Sequence, residues 1–349
     1  MNHRAITLSV LLIAAAAASP RPADAQVYPE RIRTAARHRV EAYQRRGGDR
    51  EEQVERSTKT VKIGANGEMD IANIAGDITI TRGSGADANI EIVKTAHART
   101  ADEARELLPL VQVDVVERAG RAEVRTRYPG DEWRRENRRN VNVSVDFNIT
   151  APAGTRVTVK SISGSVSISD IKGGVTAESV SGDIRIANAG HLGMAKSVSG
   201  SVEVSDTQVD GALEAGSVSG DVLLRRLKAQ RIDASSISGE VKLEDVTCDR
   251  ATGQSVSGGL TFSGPLARGG RYELKSHSGE VRVAIAGGSG FELEASSFSG
   301  EVRSDLPITA RGGNNSAAGR RRTLTGTYGD GSAILDLSTF SGSVVITKR

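Results

Sequence analysis

A Ser-x-Ser-Gly tetrad, followed two residues later by an aliphatic side chain, recurs nine times between Ser161 and Val344, the last copy opening with Thr339. Its glycines are Gly164, Gly182, Gly200, Gly220, Gly239, Gly258, Gly279, Gly300 and Gly342, separated by 18, 18, 20, 19, 19, 21, 21 and 42 residues. The last step reads as two periods with one signature lost. Self-similarity at about 20 residues marks a solenoid, in which no unit buries its apolar face alone and each must stack on its neighbours.

Aligned on the glycine, the units are all β. The seventh residue before it is mostly apolar (Val157, Val175, Leu213, Ile232, Tyr272, Leu293, Leu335) and the fifth is small or aliphatic (Val159, Ala177, Ala195, Ala215, Ala234, Leu274, Ala295, Leu337). The second and fourth residues after it repeat the alternation, from Val166 and Ile168 to Val344 and Ile346. Side chains two apart in a strand share a face, so each coil holds two half-buried strands around a corner. At that corner glycine is expected to supply a backbone conformation closed to other residues, and the serines to bond the bent backbone. The middle residue of the corner varies: Ile, Val, His277, Phe298 and Phe340 all occur. Stacking would set the first hydroxyls in a ladder about 4.8 Å apart, a structural device. A catalytic serine would need a base at one coil and not the others, and no such exception occurs.

Composition supports a repetitive β protein, with 39 glycines and only 3% aromatics in 349 residues. Residues 1–25 carry His3 and Arg4, an apolar run from Ile6 to Ala18, and Ala23-Asp24-Ala25, which together read as a cleavable signal peptide. The protein is therefore expected to be exported, to periplasm, cell surface or medium, with no membrane span in the mature chain. Cys248 is the single cysteine, so no intrachain disulfide forms, and it reads as a small buried hydrophobe. The formal charge of +3 becomes +2 once Arg4, Arg21 and Asp24 leave with the signal. Arginines crowd residues 31–46 and surround Trp133, but glutamates interleave with them, and an exported protein seldom meets nucleic acid.

This patterning divides the chain into a signal peptide (1–25), an Arg-rich linker or short helix (26–58), a first coil plus a helix-containing β excursion (59–150), and the regular coils (151–349). The excursion reads as a strand at Asn89–Lys94, a helix at Ala101–Leu108, a hairpin turning at Ala119-Gly120 and a returning strand at Val141–Ile149. A polar stretch from Arg311 to Gly331 replaces one corner, and Ser332–Lys348 is expected to close the stack as its last coil.

An Ile74-Ala-Gly-Asp-Ile-Thr-Ile80 rung, the excursion, Thr150-Ala-Pro-Ala-Gly154, Ser-Val-Ser-Gly-Asp-Val coils and Leu337-Ser-Thr-Phe-Ser-Gly342 together resemble the bacterial putative-adhesin family of unknown function, over residues 60–349. The resemblance implies a single-stranded β-solenoid of about 18–21-residue coils, right- or left-handed, in an exported or envelope-associated protein. It carries over no catalytic residue.

The most site-like column follows each glycine: Asp183, Asp221, Glu240, Glu280 and Glu301. Calcium needs six to eight oxygens, and pairs such as Asp221/Glu240 or Glu280/Glu301 supply part of one shell. Arg185, Lys242, Arg282 and Arg303 stand two residues further on, so surface ion pairs are the simpler expectation and no metal or cofactor is assigned. A polysaccharide-acting enzyme would need paired carboxylates and aromatic platforms, and aromatics are few. The expectation is a non-catalytic envelope protein whose long face binds an unknown protein or surface polymer. The alternative is a periplasmic structural or envelope-stress signalling component. With both ends of the stack covered, the chain is expected to be a monomer.

Overall fold

The computed structural model describes residues 51–130, 141–310 and 322–349. The expected signal peptide, the arginine-rich residues up to 50, the Trp133 loop and residues 311–321 lie outside the described residues. Every regular coil contributes one strand to each of two sheets. One sheet takes β8 (Arg156–Ser163), β10 (Gly174–Ser179), β12 (His191–Ser197), β14 (Ala212–Ser217), β16 (Lys228–Ser236), β18 (Thr247–Ser255), β20 (Arg271–Ser276), β22 (Phe291–Ser297) and β26 (Ala333–Thr339). The other takes β9 (Val166–Ser169), β11 (Ile184–Ala187), β13 (Val202–Ser205), β15 (Val222–Arg225), β17 (Val241–Glu244), β19 (Leu260–Pro265), β21 (Val281–Ala286), β23 (Val302–Ser304) and β27 (Val344–Lys348). All of these pair in parallel, with Ala177 beside Ala195, Ala195 beside Ala215 and Ala215 beside Ala234.

The apolar columns read from sequence meet between the sheets, where Val157, Ala177, Leu213, Ile232, Val202 and Leu243 are fully buried. The largest core side chains sit where their neighbours are small: Tyr272 and Leu274 lie beside Ala251 and Gly253, and Tyr272 meets Phe262 edge-on at 5.3 Å. The apolar column fails in sequence at Gly193. A register shift there brings Leu192 beside Val175, and Leu192 fills the core position.

The corner glycines have a different cause from the one expected. Among the nine, only Gly164 has a positive φ, 123°. At Gly182, Gly200, Gly220, Gly239, Gly258, Gly279, Gly300 and Gly342 a Cβ would fall well inside 3.0 Å of the glycine carbonyl oxygen on the neighbouring coil. Glycine is required here by close approach of backbones, not by handedness. The first serine ties these backbones together. Ser236 Oγ accepts from its own Gly239 N–H at 2.9 Å and donates to the carbonyl of Gly220, one coil back, at 2.9 Å. The pattern repeats at Ser197, Ser217, Ser255 and Ser297, so the ladder alternates serine and glycine. Ser236→Ala leaves a buried donor and a buried acceptor unpaired, and urea unfolding should show a loss of roughly 1–3 kcal/mol; an unchanged midpoint would remove the ladder's structural role.

A second corner, six residues after the tetrad glycine, is absent from the sequence reading. Asp170, Asn188, Asp206, Arg226 and Asp245 all adopt left-handed backbone, with φ between 51° and 61°. The turn drives the following side chains (Ile171, Ala189, Thr207, Leu227, Val246) into the core. Aspartate and asparagine enter this conformation more easily than most residues. Arg226 does so while forking onto Asp206 with two bonds of 2.6 Å, which holds that carboxyl below its usual range.

At the N-terminal end, β2 (Glu68–Ala75) and β3 (Ile78–Arg82) form the first coil. β1 (Glu51–Val61) is a strand where the sequence predicts the end of the linker, because residues 51–58 pair antiparallel with β4 (Ala88–Ala98). Helix α1 (Ala101–Leu107) starts at Thr100, whose hydroxyl accepts from Glu103 N–H at 3.2 Å. The hairpin is β5 (Gln112–Arg118) with β6 (Arg121–Arg127), and the returning strand is β7 (Val143–Ala151). β6 pairs in parallel with β2 and β7 with β3, so these strands lie outside the first coil.

The C-terminal end overturns the expected order. β26 lies between β20 and β22, and β27 between β21 and β23, so the final coil is inserted one place inside the stack. The 42-residue step is not a coil with a lost signature. It holds a two-stranded addition, β24 (Thr309–Ala310) and β25 (Thr323–Tyr328), which runs antiparallel along β22 and finishes the sheet. Ser332–Lys348 is the penultimate coil in space.

Candidate functional site

The acidic column performs structural work. Asp183 Oδ1 accepts from Ser201 N–H at 2.9 Å, and Asp221 Oδ1 from Glu240 N–H at 2.8 Å, each capping the same position one coil on. Asp183 also meets Arg185 at 2.9 Å, Glu240 meets Lys242 and Glu280 meets Arg282 at 2.5 Å, and Glu301 pairs with Arg303. Glu280 and Glu301 are not neighbours, because the inserted coil places Ser343 between them. Among the described residues no cluster of three metal-ligating side chains exists. Cys248 is buried, and burial pushes its thiol up to about 12, with Asp249 adding to the effect. The Tyr272 hydroxyl donates to the Cys248 carbonyl at 2.6 Å and accepts from Ala267 N–H at 2.8 Å.

The feature that sequence reasoning passed over is the middle residue of each corner. Its side chain points outward in every coil, yet is apolar in all but one. In spatial order the column runs Ile74, Ile162, Val180, Val198, Val218, Ile237, Val256, His277, Phe340, Phe298. Exposure among the apolar members ranges from 36% at Ile74 to 64% at Phe298. The three rings at one end stack, His277 on Phe340 at 5.0 Å and Phe298 on Phe340 at 4.6 Å, with interplanar angles of 9° and 6°. Nine steps of about 4.8 Å make this an apolar ridge about 40 Å long. A continuous apolar strip, unlike singly scattered surface hydrophobes, is a feature often tied to interaction. The clue in the sequence was that the residue kept its apolar character while its size varied.

A groove follows the ridge on the side of the strand preceding each corner. Two hollows of about 630 Å³ share Lys196, Ser197 and Val218, and a third of about 450 Å³ continues past Ser276 to Phe298 and Phe340. The ridge forms one wall. Lys160, Lys196 and Lys275 stand on the other, partly tied to Glu178, Glu214, Glu273 and Asp336. The floor uses its hydrogen bonds inside the fold, since the first-serine hydroxyls bond glycine and the corner amides, such as Val180 N–H to Ser161 O at 3.0 Å, bond from coil to coil. The groove therefore offers apolar contact along the ridge and a floor whose polar groups are satisfied, with lysine stems and the polar Ser235, Gln254, Ser296 and Ser338 also lining it.

Among solved structures, the fold is similar to a putative adhesin from Parabacteroides merdae (12% identity, 84% of this chain and 96% of that one, TM-score 0.45). A putative adhesin from Bacteroides fragilis gives 15% identity, 84% and 97% coverage and a TM-score of 0.40. A putative lipid binding protein from Parabacteroides distasonis gives 13%, 84% and 97%, and 0.43. No curated protein matches the sequence. Residues 137–258 and 228–347, together more than half of the chain, match the Toastrack DUF4097 family. The chain belongs to the Toastrack DUF4097 family.

Proposed function

We propose that this is an exported, non-catalytic component of the cell envelope that binds an extended partner, a protein or a surface polymer, along the ridge and groove. The exposed ridge, apolar at every rung but His277, carries the reading: its side chains are only partly covered in an isolated solenoid and gain further free energy when a partner covers them. The internally satisfied floor favours a partner that presents apolar surface over one that must exchange hydrogen bonds at every rung. No helix among the described residues is long and apolar enough to cross a membrane, and the signal read at residues 1–25 supports export.

Val218→Asp with Ile237→Asp puts two charges at the centre of the ridge. Retention of the purified chain on isolated cell envelopes should fall at least tenfold while urea unfolding shows the fold intact, the two like charges on neighbouring coils costing about 1 kcal/mol. Equal retention would sink the assignment of this face. Digestion of the protein by protease added to intact cells would locate it at the surface; protection until the envelope is opened would locate it inside the envelope.

A further inference from the structure

The two sheets end differently. At the C-terminal end the edge strands among the described residues are β23, of three residues, and β24, of two, short enough to blunt pairing with another chain. At the N-terminal end one sheet extends beyond the first coil by β7, β4 and β1, and the other only by β6 and β5. β1 therefore overhangs, with β4 on one side and, among the described residues, no strand on the other. It is 11 residues long, and all of it except Gln53 and Val61 is exposed. A strand of this length with one unpaired edge presents a row of free N–H and C=O groups.

We propose that a second copy of this chain occupies that edge, the two β1 strands pairing antiparallel about a twofold axis at Val54. Residues of β1 opposite the buried Ala88, Ile90, Ile92, Ala96 and Ala98 of β4 are the odd-numbered ones, so Glu52, Val54 and Arg56 share the outer face. A twofold axis normal to the sheet preserves faces, so only registers that set even opposite even and odd opposite odd are allowed. Centred on Val54, the register places the exposed Val54 against its own copy and Glu52 against Arg56 of the partner, twice by symmetry. Centring one residue on would oppose Glu55 to itself, and two residues on would oppose Arg56 to itself. Like charges directly opposite are unfavourable, which removes those two registers; centring on Ser57 would set Lys59 against a Glu55 already paired with Lys94 at 3.1 Å, and only the Val54 register also covers the exposed Val54 with its own copy.

Arg56 already lies 3.3 Å from Glu91 on β4, and in the dimer it would sit between two carboxylates. The recessed β5 edge keeps the shorter sheets of the two copies apart while the longer sheets join. Seven residues from each copy, Glu51–Ser57, take part, a smaller contact than the roughly 1,200 Å² at which specific, stable interfaces begin, so the dimer should form in a concentration-dependent equilibrium. The expectation of a monomer rested on a covered end, and among the described residues no strand covers the outer edge of β1.

Sedimentation of the purified exported chain across the micromolar range should show monomer passing to dimer. Glu52→Arg alone and Arg56→Glu alone each set like charges opposite and should raise the dissociation constant roughly tenfold or more. Mixing the two variants restores both opposite-charge pairs and should restore a heterodimer. Amide exchange of wild-type residues 51–57 should slow as concentration rises, a readout that needs no variant. A wild-type chain that stays monomeric, amides insensitive to concentration, or single variants that dimerise as well as wild type would each overturn the proposal.

Discussion

Gly239→Val should lower the stability of the chain by roughly 3 kcal/mol or more, seen as a clear drop in the melting temperature. The added side chain would start from a Cβ already overlapping the carbonyl of Gly220, and that oxygen is backbone, fixed by Ser236. Relief requires two coils to move apart, which stretches the parallel pairs β14 to β16 and β15 to β17 as well as the corner. Ser165→Ala is the control. Ser165 lies one residue past a corner glycine, and it is the backbone N–H of this residue that donates to Asp77 at 2.8 Å, so losing its hydroxyl should cost less than about 0.5 kcal/mol. Equal shifts for the two variants would mean that close approach at the corner is not what fixes glycine there.

The second large effect concerns the end of the chain. A protein stopping at Gly331 loses β26 and β27, and with them the buried Ala333, Leu335, Leu337, Val344 and Ile346, on the order of 5–10 kcal/mol of apolar burial. If that coil were terminal, its removal would only trim the stack. Because it is inserted, the coil of β22 and β23 loses the neighbour that joins it to β20 and β21. Amide exchange should show protection lost over residues 291–304 while residues 156–263 keep theirs. Protection retained at 291–304 would show that this coil docks directly on β20 and β21 and that the inserted order does not hold the end together.

The coils, their two strands and their inward columns were legible because each obeys one local rule, alternation about a glycine. What stayed hidden depends on relations between coils. Every coil offers nearly the same apolar columns, so the pattern in Leu335 and Leu337 fits against Tyr272 and Leu274 as well as against Leu293 and Ala295, and adjacency in space cannot be read from it. The glycine column was found while its cause was mistaken, because the carbonyl it must avoid belongs to another coil. The second corner left a trace in Asp170, Asn188, Asp206 and Asp245, but Arg226 interrupts the chemistry that would have announced it. β1 was missed because Glu-Glu-Gln-Val-Glu-Arg-Ser-Thr-Lys shows no alternation, as expected of a strand exposed nearly throughout, with only Gln53 partly covered where it accepts from Arg105 of helix α1. The ridge was recorded only as variability, since outward direction at a corner follows from the turn geometry rather than from the residue.

The inserted coil also sets an order of events. The parallel pairs β20 to β26 and β21 to β27 join residues about 60 positions apart, whereas the coils running from β8 and β9 to β20 and β21 join residues about 20 apart, so this closure is slower than that of the coils just before it. Until Ala333–Lys348 arrives, the coil of β22 and β23 has no permanent seat, and an incomplete chain carries an open parallel edge. Completion thus depends on residues that lie beyond the coil they seat, and the coil of β22 and β23 is held by a segment made after it.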